Sequence, residues 1–275
     1  MPNDHEILPR AAGTDDASAA IEANLDAFLF ALGRAGGAEE RSDPTVRWTI
    51  GGSPIDYHNA VTRARLPADE VDAVIEEMIN TCRRHRVPGS WHVGPSMRPT
   101  DLGDRLRSHG LSPDGAEPGM ALDLSRFDHA PVPAGVEVRR VADRNDLDAW
   151  VRTLGAGFGE GPREAAWVGR MYARLGYESP EPWRHYLARS DGRPVGTASL
   201  FTAAGVVGVY FVSTHPDVRG RGIGSAVTAA ALRDVTGLGY RTAVLNASKA
   251  GHPVYRRLGF HDHCTFHSYT FDPRR

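Results

Sequence analysis

The sequence predicts an α/β or α+β fold around a central sheet, because strand-like and helix-like segments alternate along the chain. Its 275 residues are enough for two modest domains. The stretch RFDHAPVPAG, residues 126–135, has the proline and glycine content of a linker. We therefore divide the sequence into an N-terminal domain at residues 1–125 and a C-terminal domain at residues 136–275.

The composition of the chain argues against several classes of function. With 41% hydrophobic and 24% charged residues the chain is an ordinary globular protein, and its formal net charge of -2 gives no basic excess for nucleic acid. No apolar run is long enough to span a bilayer, and the start lacks a signal-peptide pattern. Cys82 and Cys264 lie far apart and suit neither a disulfide framework nor a metal site. We expect a cytoplasmic protein without metal, membrane or nucleic-acid partners.

The N-terminal half is predicted to contain three helices and four strands. Apolar residues at helical spacing predict a helix over 15–33. The segment 67–85 begins with a proline and two acids and ends in basic residues, as the helix dipole favours. The other predicted elements are a short helix in DLGDRLRSHG and strands in TVRWTIGG, NAVTRARL, SWHVG and MALDL.

The C-terminal half begins again with a strand, VEVRRV, followed by two helices in DRNDLDAWVRTLGAGFG and PREAAWVGRMYARLG. Three strands joined by the turns SDGR and AAG are predicted next, within residues 183–214. A helix over 223–236, a strand in RTAVL, a short helix at PVYRRLG and a strand in TFHSYTF complete the half.

A glycine-rich turn joins the last of those three strands to the helix over 223–236, through Gly220, Gly222 and Gly224. Such a turn presents free backbone amides and the positive end of a helix dipole, so phosphate is the expected ligand. The dinucleotide pattern G-x-G-x-x-G is not met, because Ser225 stands at the third glycine position. The nucleotide pattern G-x-x-x-x-G-K-[ST] also fails, since no lysine is near. The alternative is a turn that needs small residues for packing alone.

Two motifs occur in order and in strand-to-helix contexts. The first, RGRGIG at residues 219–224, fits R-x-x-G-x-G, and SKAGHPVYRRLGF follows later in the chain. On these motifs residues 136–271 resemble the GNAT superfamily of N-acetyltransferases. The resemblance implies a mixed, mostly antiparallel sheet flanked by helices, and acetyl-coenzyme A as co-substrate.

The same resemblance implies roles for individual residues. The strand edge at Val212, Ser213 and Thr214 would bind the pantetheine arm, with the Val212 amide donating to the thioester carbonyl. Ser248 stands where the family usually has asparagine, so either Ser248 or Asn246 would contact coenzyme A. The pyrophosphate would lie on the loop formed by Arg219, Gly220, Arg221, Gly222, Ile223, Gly224 and Ser225.

Tyr255 stands where the family has a general acid that protonates the departing thiolate, which a phenol of pKa about 10 can do. The alternative is a core position beside Leu258 and Phe260. No residue is singled out as general base, and Glu160 is the candidate we name because the family's acceptor wall usually forms there. The other side chains considered for the acceptor site are Glu164, Tyr210, His215, Phe158 and Trp167.

The N-terminal half repeats the order strand, loop, short helix, glycine and strand found near the C-terminus. Aligning residues 109–111 with 258–260 places Leu106 at the position of Tyr255, and no R-x-x-G-x-G precedes it. The half therefore resembles a degenerate copy, as in tandem GNAT proteins. Two unrelated α/β segments are the alternative.

The predicted function is an acyl-coenzyme A-dependent N-acyltransferase that moves acetyl to the primary amine of a small molecule by direct attack. The alternative is a non-catalytic protein that binds or senses acyl-coenzyme A. A nicotinamide-dependent oxidoreductase is disfavoured, because the strand after the glycine turn ends at residues 245–248 without a ribose-binding acid. We expect a monomer or a homodimer.

Overall fold

The computed structural model describes residues 14–128, 131–159, 161–175 and 182–274. Within them the chain forms seven α-helices and eleven β-strands. The helices are α1 Thr14–Ala35, α2 Val71–His85, α3 Leu102–Ser108, α4 Arg144–Phe158, α5 Pro162–Leu175, α6 Ile223–Thr236 and α7 His252–Arg257. The strands are β1 Glu39–Ser42, β2 Val46–Ile50, β3 Ala60–Ala64, β4 Gly89–Val93, β5 Ser112–Asp123, β6 Val136–Arg140, β7 Trp183–Ser190, β8 Arg193–Ala203, β9 Val206–Thr214, β10 Thr242–Asn246 and β11 His261–Phe271.

All the described strands lie in one sheet, in the order β1-β2-β3-β4-β11-β5-β10-β9-β8-β7-β6. The pairs β3–β4 and β9–β10 are parallel, and the other neighbouring strands of the described sheet are antiparallel. The predicted mixed, mostly antiparallel sheet flanked by helices is thus confirmed.

The two halves of the sequence exchange strands at the centre of this sheet. β11 from the C-terminal half lies between β4 and β5, and β5 from the N-terminal half lies between β11 and β10. The directions of pairing are the same on either side of the β5–β11 pair, with one parallel pair in each half. Each half therefore provides hydrogen-bond partners for backbone groups of the other. Because the sheet continues across both halves, the division at residues 126–135 stays a prediction from the sequence.

Side chains alternate between the two faces of the sheet, and helices cover both. Along β10, Val244 packs into a cluster shared with α1, α4 and α5, whereas Ala243 and Leu245 pack into a cluster shared with α6 and α7. β5 alternates in the same way, with Ala121 in the first cluster and Met120 in the second. We call the first side the α1–α4–α5 face. A further described cluster joins α2 and α3 to strands β2, β3 and β4.

Helix α1 ties the N-terminal half to the sheet of the C-terminal half. The Asn24 side-chain amide donates to the carbonyls of Phe201 and Ala203 at 3.3 and 3.1 Å, and its oxygen accepts from the Tyr210 hydroxyl at 2.7 Å. Phe28 stacks on Tyr210 with ring centroids 3.5 Å apart. Because these contacts are buried, α1 is a fixed part of the C-terminal core.

Most predicted elements are found within a few residues of their expected bounds, but three strands differ. β1 was not predicted, β11 begins before TFHSYTF, and β5 begins at Ser112 instead of within MALDL. β5 contains Pro113 and Pro118, which are typical of turns, yet both are paired with β11; the pairing of β5 with β10 covers only Gly119 to Asp123. Tertiary pairing overrides local preference there. Among the described helices, none has the length and hydropathy needed to cross a membrane.

Candidate active site

The candidate site begins as a gap in the sheet between β9 and β10. These parallel strands are paired at Ala243 with Val207 and at Val244 with Gly208. Beyond this point the described register contains no further pair between them, although β9 continues to Thr214. The two strands therefore present unpaired backbone edges at their carboxyl ends, where a ligand can reach main-chain donors and acceptors.

A bulge in β9 accompanies the gap. Its register with β8 shifts between Thr197 and Ser199, and Phe211 has a φ of +53°. As a result Tyr210 and Phe211 both contact the α1–α4–α5 cluster, although they are consecutive residues. A left-handed backbone costs about 1–3 kcal/mol at a bulky residue, so the surrounding packing must hold this bend in place.

The predicted strand edge at Val212, Ser213 and Thr214 ends β9. The Ser213 side chain is buried and shares a hydrogen bond of 3.0 Å with the Thr197 hydroxyl, so it stabilises the β8–β9 pair. The Val212 side chain packs at the margin of the α6–α7 cluster. The backbone of this edge is consequently the part that can bind a ligand.

The glycine loop that follows has the backbone shape of an anion site. Gly220 and Gly222 both have φ of +77°, and Gly222 is the N-cap of α6 without a side-chain hydrogen bond to the cap. The amides of Ile223, Gly224 and Ser225 lie in the first turn of α6, where a helix offers them no acceptor. The loop can therefore direct several N–H groups and the helix dipole at one ligand.

The two arginines of the loop have different surroundings. The Arg219 guanidinium donates to the Gly157 carbonyl at 2.6 Å and to the Thr214 carbonyl at 3.4 Å, so it joins the loop to the end of α4. Arg221 is exposed, and within the described residues its side chain has no hydrogen bond or ion pair. Arg221 is thus the loop cation that remains free for a ligand.

At the end of β10, Asn246 is buried at both side-chain polar atoms, and neither has a hydrogen-bond partner within the described residues. Asn246 is two positions from Val244, so its side chain lies on the α1–α4–α5 face. Ser248 is exposed, and its hydroxyl oxygen accepts from the Gly251 amide at 3.1 Å. An unpaired buried amide favours an external partner, which makes Asn246 the better of the two predicted contacts.

Tyr255 lies on α7, on the opposite side of the sheet from Asn246. It is 8% exposed and packs edge-on against Phe260, with ring centroids 5.9 Å apart. Burial raises the pKa of Tyr255, and the charge of Glu117 raises it further. The phenol is therefore protonated throughout the neutral range, as a general acid must be. At the aligned position in α3, Leu106 is 0% exposed and packs in the core.

The predicted acceptor residues are only partly brought to this gap. Glu160 lies outside the described residues. Tyr210 is bound to Asn24, and burial raises its pKa, so it has a structural role. Phe158 is 47% exposed at the end of α4.

Of the remaining three candidates, His215 follows the strand edge directly, and Trp167 and Glu164 lie elsewhere. A Cβ on Gly36 or Gly52 would lie 3.2 or 3.4 Å from the Trp167 ring, so Trp167 joins α5 to the N-terminal half. His215 lies 3.4 Å from the Asp217 carboxylate. Glu164 is half-buried beside a cleft formed by residues of the N-terminal half and the end of β11.

Sequence reasoning missed one residue at the gap, Glu117. It precedes the predicted strand MALDL and lies in DGAEPG, whose proline and glycine content does not indicate a strand. In the structure it lies on β5, next to the end of β10. An acidic residue between turn-forming residues was the only local signal.

Comparison with known families supports the interpretation of this half. Residues 148–260 match the model of the acetyltransferase (GNAT) family. The match includes α6 with its glycine loop, β10 and α7. Residues 148–260, within the C-terminal half, are therefore similar to the acetyltransferase domain of that family.

Two curated relatives indicate the more specific similarity. A mycothiol acetyltransferase of Streptomyces avermitilis is 32% identical over 157 residues, which are 54% of this chain and 49% of that protein. A mycothiol acetyltransferase of Mycobacteroides abscessus is 26% identical over 230 residues, 74% of this chain and 76% of that protein. The chain spans about half the length of the first relatives that it matches.

Solved structures resemble the whole chain. A GCN5-related N-acetyltransferase from Kribbella flavida has a TM-score of 0.69 at 20% identity, with 90% of this chain and 95% of that chain covered. A tandem GNAT protein from the clavulanic acid biosynthesis pathway has a TM-score of 0.59 at 16% identity, with 96% and 97% covered. At these identities the likeness establishes the fold alone, and it extends over both halves.

Proposed function

We propose that this protein transfers an acetyl group from acetyl-coenzyme A to the primary amine of a small molecule. The observation that supports the proposal best is the gap between β9 and β10. A loop of free amides stands at one side of it, and Tyr255 of α7 packs in the cluster that contains Leu245 and Ala247 at the end of β10. A non-catalytic sensor would need the loop to bind coenzyme A, but it would not need a proton donor such as Tyr255.

The described residues could bind the successive parts of coenzyme A, from the pyrophosphate to the thioester. The first-turn amides of α6 and the free Arg221 would hold the pyrophosphate. The backbone edge at Val212 and Thr214 would pair with the pantetheine arm as a missing strand would, and the unpartnered Asn246 amide would satisfy an arm amide. The Val212 amide would then polarise the thioester carbonyl as charge develops on its oxygen.

The chemistry needs one proton for the leaving group. When an amine nitrogen bonds to the carbonyl carbon, the C–S bond breaks with its electron pair on sulfur. Tyr255 would give its hydroxyl proton to that sulfur, which the raised pKa of the phenol permits because the group remains protonated. Electrostatic stabilisation would thus act on the carbonyl oxygen, and proton transfer on the sulfur.

A small-molecule acceptor is supported by the relatives named mycothiol acetyltransferase, of which this chain matches a part. The test is a screen of primary amines with acetyl-coenzyme A, in which acetylated products are detected by mass spectrometry and released thiol is measured. Transfer to at least one small amine is the expected result. Tight binding of acetyl-coenzyme A with no transfer to any amine would instead support the sensor.

A further inference from the structure

A carboxylate from the N-terminal half lies at the candidate gap. Glu117 is on β5, and β5 is the strand beside β10 in the shared sheet. Asn246 at the end of β10 pairs with Gly119, and the Ala247 amide donates to the Pro118 carbonyl at 2.9 Å. Glu117 is the next residue along β5, so it stands just past the end of β10, where the gap opens.

The face on which Glu117 lies follows from its partners. It pairs with Phe266 of β11, and directly opposite residues in an antiparallel pair project to the same side. Phe266 packs in the α1–α4–α5 cluster, and a Cβ on Gly119 would meet Phe266 and Ile21 of α1 at 3.2 and 3.1 Å. Glu117 therefore shares the α1–α4–α5 face with Asn246.

The thioester would thus lie between two proton-transfer groups. Tyr255 belongs to the α6–α7 cluster, and Glu117 lies on the other face. The two are close enough for the Glu117 charge to raise the pKa of Tyr255. An acid on one side of a carbonyl carbon and a carboxylate on the other is the arrangement that direct attack by an amine requires.

The surroundings of Glu117 suit a carboxylate that accepts a proton better than one with a structural role. It is half-buried, and within the described residues it has no ion pair or hydrogen bond. Its cross-strand partner Phe266 is uncharged. The titratable groups nearby are Tyr255 of α7, which its charge affects, and Glu22 of α1, whose carboxylate lies beside the Phe266 ring. Burial raises its pKa, and the charge of Asp114 on the same strand raises it further.

We propose that Glu117, from the N-terminal half, is the general base that takes a proton from the ammonium group of the acceptor. The assignment rests on the proposed acetyl transfer. The ammonium gives one proton to the carboxylate, the freed nitrogen pair forms the C–N bond, and the C–S pair leaves on sulfur. Sulfur takes the proton of Tyr255, the second nitrogen proton returns to Tyr255 through water, and Glu117 releases its proton to solvent.

The test compares E117Q with E76Q, the same change on the exposed side of α2. Two amine probes of similar size are used with acetyl-coenzyme A. Ethylamine is almost fully protonated at neutral pH, whereas 2,2,2-trifluoroethylamine is mostly free base. E117Q should lose about 10²- to 10⁴-fold in the single-turnover rate with ethylamine and much less with the fluorinated amine, while E76Q keeps both rates.

A pH profile supplies a second readout. With ethylamine, kcat/KM of the wild type should fall as pH drops through the Glu117 pKa, which is above the ordinary value of 4.5, because only the carboxylate accepts a proton. E117Q should lack the plateau above that pKa, because only the free amine then reacts and its fraction keeps rising with pH. An equal loss with both amines, or an unchanged profile, would overturn the assignment.

The proposal can still be tested if the wild type acetylates neither amine. Water is then the acceptor, and the slow hydrolysis of bound acetyl-coenzyme A should fall in E117Q and not in E76Q. Equal hydrolysis by the two variants would overturn the role of Glu117. Failure of the proposed function is seen separately, as coenzyme A binding with no transfer to any amine in the wider screen.

Discussion

At the scale of single residues, the role of Tyr255 as general acid stays a prediction from the motif. In the structure Tyr255 packs in the cluster at the end of β10, and burial raises its pKa. The neighbouring prediction was less specific, because Ser248 and Asn246 were both candidates. Burial distinguishes them, since the Asn246 amide has no described partner while the Ser248 oxygen accepts a hydrogen bond.

Replacing Tyr255 by phenylalanine removes the hydroxyl group and keeps the aromatic ring. We expect Tyr255→Phe to keep its affinity for acetyl-coenzyme A and to lower kcat by about 10²- to 10⁴-fold, as the loss of a general acid does. Rapid-quench single-turnover rates measure the chemical step. Tyr269→Phe is the matched control, since its hydroxyl accepts from Arg107 in the N-terminal half. Equal rates for the two variants would return Tyr255 to a packing role.

At the scale of elements, the glycine loop and α6 form one anion-binding unit. Its conformation depends on the φ of +77° at Gly220 and Gly222, which a β-branched residue resists. A Cβ on Gly222 would also lie 3.5 Å from the Pro133 ring. Arg219 holds the loop against α4, so the position of the loop depends on the end of that helix.

The loop prediction is that Gly222→Val abolishes coenzyme A binding in a folded protein. Gly239→Val is the control, because Gly239 has a φ of +88°, open space around its Cβ position and a place in the turn between α6 and β10. Both variants should lose similar thermal stability, and Gly222→Val alone should lose binding in calorimetric titration. Unchanged affinity in Gly222→Val would contradict the anion site.

At the scale of the whole molecule, the two halves differ at equivalent places in the sheet. In the N-terminal half, the end of β3 is paired to the segment after β4, with Arg98 donating its amide to Ala64 at 3.0 Å and accepting from the Leu66 amide at 3.2 Å. The backbone at Arg98 thus fills the position in the N-terminal half that corresponds to the gap between β9 and β10 in the C-terminal half. The turn into α2 carries Asp69 and Glu70, whose charge opposes phosphate.

We therefore expect one coenzyme A to bind per chain, in the C-terminal half. Calorimetric titration of the full chain with coenzyme A should give a stoichiometry of one and a single heat signal. Gly222→Val should remove that signal entirely, because in the described part of the N-terminal half the position equivalent to the gap is closed by Arg98, and no R-x-x-G-x-G loop precedes α2. A stoichiometry of two, or residual binding in the variant, would show that the N-terminal half retains a site.

The sequence by itself determined most of the element types and the two motifs from which the anion loop and the role of Tyr255 are predicted. Helical and strand periodicities are local, and so is the spacing of the two motifs. Only the tertiary structure decided that β5 and β11 exchange places, that β9 bends at Phe211, and that Glu117 lies at the gap. Those features depend on pairing between residues far apart in the chain, and no pattern within one segment specifies its partner strand.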